Sequence, residues 1–114
     1  MKNKIQTIEV ENNETQSVEK IIEKIRENKI IYVKNKFYEE EDVLDSITEK
    51  GPAIILNSSG SSGKPRKCLH HLDNLQLSAI TSGKWLIEQG FELQKCLILN
   101  TLPLNHISGL MPIF

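Results

Sequence analysis

Ala53-Ile54-Ile55-Leu56-Asn57-Ser58-Ser59-Gly60-Ser61-Ser62-Gly63-Lys64-Pro65-Arg66-Lys67 runs from four apolar residues straight into serine, glycine and positive charge. The apolar run has strand length and no polar alternation, which predicts a strand covered on both faces. Gly60 and Gly63 let the backbone turn tightly and bring N–H groups close to a ligand. The hydroxyls of Ser58, Ser59, Ser61 and Ser62 can donate to phosphate oxygens. Lys64, Arg66 and Lys67 add positive charge, and an arginine can pair two N–H groups with one phosphate. The end of a buried strand is also where ligands sit in open α/β sheets. A solvated Ser/Gly connector would explain the small residues alone. It leaves the strand before, the basic cluster after and the proline between without a reason. The combination predicts a polyphosphate cradle.

A Walker A loop needs Gly, four residues, then Gly-Lys followed by Ser or Thr. Here Pro65 follows Gly63-Lys64, and Ser58 stands where the first glycine belongs. Both ends of the pattern fail, which excludes the ordinary P-loop arrangement.

Outward from this stretch, the chain alternates in period. Residues 1–14 are polar and are expected to be weakly ordered. Val18, Ile21, Ile22 and Ile25 recur at helical spacing, with Thr15 or Ser17 as a cap and an end near Asn28. Ile30-Ile31-Tyr32-Val33 reads as a strand. An acidic helix is expected from about Glu39 to Lys50, burying Val43, Leu44 and Ile47, with Gly51-Pro52 stopping it. Beyond the loop, Asp73 and Gln76 have capping-box spacing, Leu75, Ala79, Trp85 and Leu86 supply a core face, and Gly90 a terminator. Cys96-Leu97-Ile98-Leu99-Asn100-Thr101 reads as another buried strand, and Ile107 to Phe114 as the start of a further helix. Helices alternating with strands predict an α/β fold with mostly parallel strands.

Composition bounds the function. The 114 residues suffice for one small domain; 39% are hydrophobic and 25% charged, as in a soluble segment. A net charge of −1 argues against nucleic acid as a partner and against a charged membrane surface. Residues 1–50 carry twelve acidic and nine basic side chains, residues 51–114 three acidic and five basic, so an anion is better served by the second half. No apolar run reaches the ~18 residues of a membrane span, and no leader pattern opens the chain. Cys68 and Cys96, 28 residues apart, have no metal-ligand spacing and are expected as free thiols of a cytoplasmic protein.

Residues Ser58 to Lys67 resemble the phosphate-loop signature of the adenylate-forming superfamily: Thr/Ser-Ser-Gly-Ser/Thr-Thr-Gly-any-Pro-Lys-Gly. Asn74-Leu75 is similar to an Asn-Leu pair common downstream of that loop. Leu102-Pro103-Leu104-Asn105-His106-Ile107-Ser108-Gly109-Leu110 resembles the second family motif, Pro-Leu-Phe-His followed by a small residue, Gly and Leu. The wording of this second motif looks most like the o-succinylbenzoate–CoA ligases of menaquinone and phylloquinone synthesis. The resemblance covers residues 51–114, as the start of an AMP-binding domain within the large N-terminal domain; residues 1–50 form a separate, unmatched helix–strand–helix segment. Arg66 stands for the usual Lys, Lys67 for Gly, Asn105 for an aromatic residue, and Leu72 where many relatives have His.

The resemblance implies an ATP-dependent acid–thiol ligase that uses Mg²⁺ and CoA. A carboxylic acid, o-succinylbenzoate on the narrower likeness, becomes an acyl-adenylate with loss of pyrophosphate, then a CoA thioester with release of AMP. It assigns phosphate contacts to Ser58, Ser59, Gly60, Ser61, Ser62, Gly63, Lys64, Arg66 and Lys67, and places His106 in the acyl pocket beside the reacting carboxylate. A lone histidine is more often structural; its position within the motif favours the functional role. His70 and His71 read as loop residues. The family's metal-binding Glu, ribose-binding Asp and C-terminal Lys have no counterpart in these 114 residues, so the chain alone is expected to be inactive. A non-catalytic nucleotide- or anion-binding module is the rival reading.

Overall fold

Ile5, Ile8 and Val10, separated by polar residues, and the continuous apolar runs at 30–33 and 53–56 form the centre of one sheet. The computed structural model describes residues 2–11, 14–37, 46–58, 66–100 and 102–114. Its strands are β1 (Asn3–Val10), β2 (Ile30–Asn35), β3 (Ser46–Ile47), β4 (Ala53–Ser58) and β5 (Arg66–His71). The helices are α1 (Thr15–Arg26), α2 (Leu72–Glu88) and α3 (Ile107–Leu110), with short 3₁₀ turns at Leu93–Lys95 and Met111–Ile113.

The sheet order is β3-β1-β2-β4-β5. β1, β2 and β4 run parallel, with Ile5 beside Ile30 and Ile30 beside Ala53. The outer strands run the other way: β3 against β1, and β5 against β4. This mixed sheet, curled into a half-barrel, overturns the expectation of an α/β array of mostly parallel strands. The reason is local. A parallel return needs a long crossover, whereas the seven residues between Ser58 and Arg66 permit only an antiparallel one. Strands from both sides of residue 50 share the sheet.

The α1 crossover joins β1 to β2 and buries Ile21 and Ile25. Pleating sorts the core into two layers. On one face lie Ile8, Val10, Ile31, Val33, Ile54 and Leu56, packed with α1, Leu75, Leu104 and Leu110. On the other lie Ile5, Ile30, Tyr32, Ala53 and Ile55, with Ile47 and Leu69 against them. Each fully buried Ile or Leu contributes roughly 1.5–3 kcal/mol of transfer free energy.

Several elements differ from their sequence reading. Residues 3–10, expected to be loose, form an interior strand. The expected acidic helix gives way to β3 at Ser46–Ile47, and its stretch 39–45 lies outside the described residues. Residues 66–71, read as a loop, form β5, so His70 and His71 are strand residues. α2 begins one residue before Asp73, with His71 rather than Asp73 at its N-cap, and Gly90 follows its end at φ +96°. Trp85 is exposed, not core. Cys96–Asn100 has no regular secondary structure, and Leu97 is 99% exposed and Leu99 88%. An apolar run becomes a strand only when a sheet edge takes up its N–H and C=O groups. Both cysteines are free, as expected.

Candidate functional site: the root of the Ser/Gly loop

The hairpin register fixes where the loop starts and ends. Leu56 faces Cys68, Asn57 faces Lys67, and Ser58 faces Arg66 as the last pair. Ser58 and Arg66 therefore form the two roots of the connection. Ser59, Gly60, Ser61, Ser62, Gly63, Lys64 and Pro65 lie outside the described residues. Of the expected phosphate contacts, the described structure holds Ser58, Arg66 and Lys67.

Strand alternation divides these three between two faces. Ser58 lies two residues beyond Leu56, on the face where Leu56 packs with Leu104 and Leu110. Its partner Arg66, exposed, is on that same face. Asn57 and Lys67 are on the opposite face with Tyr32 and Ile55. There Asn57 Nδ2 donates to Tyr32 Oη at 2.6 Å, and Lys67 Nζ lies 5.6 Å from the centre of the Tyr32 ring. Arg66 and Lys67, adjacent in sequence, thus direct their charges to opposite sides of the sheet.

The segment with the second motif packs on the Ser58–Arg66 face. Leu104 and Leu110 are wholly buried. Between them the chain turns: the His106 N–H donates to the Pro103 carbonyl, and the His106 carbonyl accepts from the N–H groups of Gly109 and Leu110 at 3.0 and 2.9 Å. Asn100 Nδ2 donates to the Gly109 carbonyl at 2.7 Å. A Cβ on Gly109 would run into the Pro103 carbonyl, so this glycine permits the close return. Much of the motif's spacing therefore serves packing. His106 sits at the N-cap of α3, with its residue exposed to solvent. The carboxamide oxygen of the neighbouring Asn105 is buried with no hydrogen-bond partner among the described residues. Such an acceptor suits a donor group on a ligand.

Two surface grooves are candidates for a ligand. One, about 640 Å³, is lined by Glu9, Glu11, Glu14 and Glu23 as well as Lys20 and Lys36. Its lining includes neither Ser58 nor Arg66, and its carboxylates disfavour an anion. The other, about 600 Å³ and mostly apolar, is lined by Gly83, Leu86, Phe91, Ser108, Met111 and Phe114 among others. Ser108 is two residues from His106. Among the described residues, no cluster of three or more His, Cys, Asp or Glu side chains is placed to hold a metal ion. No described helix is long and apolar enough to cross a membrane.

Sequence reasoning missed Tyr32 and Asn57. The signal was present: a tyrosine inside the otherwise apolar Ile30–Val33 needs a partner for its hydroxyl once buried. Asn57, the first polar residue after a second apolar run, is a fitting candidate.

Against models of protein families, curated proteins and solved structures, the chain has no match.

Proposed function

We propose that this chain carries the phosphate loop of an ATP-dependent, adenylate-forming carboxylate–CoA ligase. The observation that supports the reading is the pairing of Ser58 with Arg66 at the open end of the β4–β5 hairpin. That pairing closes a seven-residue Ser/Gly loop whose roots are a hydroxyl donor and a guanidinium on one face. Both suit the oxygens of a departing pyrophosphate, where negative charge grows as the acyl-adenylate forms. The second-motif segment packs on the same face. The apolar groove that contains Ser108 would take the body of the acid, with His106, two residues earlier, orienting its carboxylate. The wording of residues 102–110 favours o-succinylbenzoate as that acid. Free thiols accord with a cytoplasmic setting.

The described residues offer no ligand set for Mg²⁺, and no step is assigned to the ion. CoA enters through the resemblance of the two motifs alone.

ATP binding by the 114-residue chain, measured by calorimetry, tests the reading. Arg66→Gln should weaken binding roughly tenfold, the scale of one charged hydrogen bond. Equal binding by wild type and variant, or none by wild type, would remove the phosphate role from this loop.

A further inference from the structure

Tyr32 belongs to β2, yet it meets both partners of one cross-strand pair in the next hairpin. Its backbone is in register with Ile55. Its side chain extends two residues further along β4, where its hydroxyl accepts from Asn57 Nδ2 at 2.6 Å. Its ring face lies 5.6 Å beneath Lys67 Nζ. Asn57 and Lys67 face each other across β4 and β5, one step before the Ser58–Arg66 pair from which the loop departs. Tyr32 itself is only 2% exposed and packed among Ile5, Ile30, Ala53 and Ile55, so the ring cannot move without disturbing that layer. A rigid aromatic thus grips one strand of the hairpin by a hydrogen bond and the other by a cation–π contact.

The two sides of the hairpin have different tasks. The Ser58 and Arg66 side chains are presented on the face that carries the second motif. The Asn57 and Lys67 side chains are engaged on the reverse. A loop that receives a polyphosphate must have its roots held in place before the ligand arrives, because ordering them on binding would cost affinity. We propose that Tyr32 is a positioning residue of the Ser58–Arg66 pair: through Asn57 and Lys67 it fixes the end of the β4–β5 hairpin from behind. Resting on the phosphate-loop reading above, it assigns Lys67 to anchoring the hairpin and Arg66 to the ligand.

The test compares wild type, Tyr32→Phe and Tyr32→Leu in the full 114-residue chain, by amide hydrogen exchange and by ATP binding. Tyr32→Phe deletes the hydroxyl and keeps the ring; Tyr32→Leu deletes both. Exchange of the Ser58, Arg66 and Cys68 amides, which belong to the hydrogen-bonded pairs of the hairpin, should quicken about tenfold in Tyr32→Phe and further in Tyr32→Leu, while β1 keeps its wild-type protection. ATP should bind at least threefold more weakly to Tyr32→Phe. Unchanged exchange at the hairpin end, or an equal increase over the whole sheet, overturns the anchor. If Tyr32→Leu fails to fold, Tyr32→Phe alone decides. Faster local exchange with unaltered ATP affinity overturns the positioning role. Failure of wild type to bind ATP overturns the phosphate-loop reading instead, and the exchange data still decide the anchor.

Discussion

Gly109 lies so close to Pro103 that a side chain on the glycine would occupy the space of the proline's carbonyl oxygen. The turn at His106 depends on that contact, since Leu104 before it and Leu110 after it both enter the same core layer.

Gly109→Ala should therefore destabilise the chain by about 1–3 kcal/mol, because the clash is with backbone and cannot be relieved by a rotamer change. Gly83, inside α2, is the matched control. A Cβ there would meet only Leu93 Cδ1, at 3.5 Å, so Gly83→Ala should be neutral or stabilise by up to ~1 kcal/mol through helix propensity. Urea denaturation of both variants checks the pair; a Gly109 variant as stable as wild type contradicts the packing described.

Two leucines thirteen positions apart should behave oppositely. Leu110 has no exposed surface and Leu97 is 99% exposed. Leu110→Ala is expected to cost about 2–5 kcal/mol through the cavity it leaves, and Leu97→Ala less than about 0.5 kcal/mol. A large loss at Leu97 would mean that this segment is packed in solution.

In an active ligase carrying this sequence, replacing Ser61 and Ser62 together with Ala should slow acyl-adenylate formation ~10²-fold or more, provided the hydroxyls act chiefly on the departing pyrophosphate. Exchange of radiolabelled pyrophosphate into ATP measures that step alone. A rate equal to wild type would reduce the loop to a connector.

His106→Ala in the same enzyme should raise the apparent KM for the acid more than that for ATP. His106 is two residues before Ser108 of the apolar groove, whereas Ser58 and Arg66 stand at the loop. A change confined to the ATP value would assign the imidazole to the nucleotide instead.

The strands that were legible in the sequence carry their own signal. Ile30–Val33 and Ala53–Leu56 are apolar without interruption and lie at the sheet's centre. α1 was legible from its spacing, with Ile21 and Ile25 inward. β1 and β5 were not: β1 takes its place from β2 and β3, remote in sequence, and β5 from the hairpin it makes with β4. Arg66-Lys67-Cys68-Leu69-His70-His71 has little intrinsic preference for a strand and is held by its register with β4. The opposite error came at Cys96–Asn100, where composition suggested a strand that has no pairing among the described residues. For the candidate site, the sequence put Ser58 and Arg66 in one stretch, and their pairing across β4 and β5 came only with the register. That Arg66 and Lys67 diverge follows only from their sitting on a pleated strand.

Outside the core, Leu77, Ile80, Trp85 and Ile87 on α2, together with Leu97, Ile98 and Leu99, present apolar side chains to water. A dye that fluoresces on apolar surfaces will find binding places on the native chain, although such staining is usually taken as a mark of lost packing. Dye-monitored melting will start from a bright baseline and blunt the rise on unfolding, so calorimetry or circular dichroism is the sound measure of Tm. The same residues give Leu97-Ile98-Leu99 the traits of an aggregation nucleus: β-forming, uncharged and without proline. Purification at low concentration and low salt follows from that.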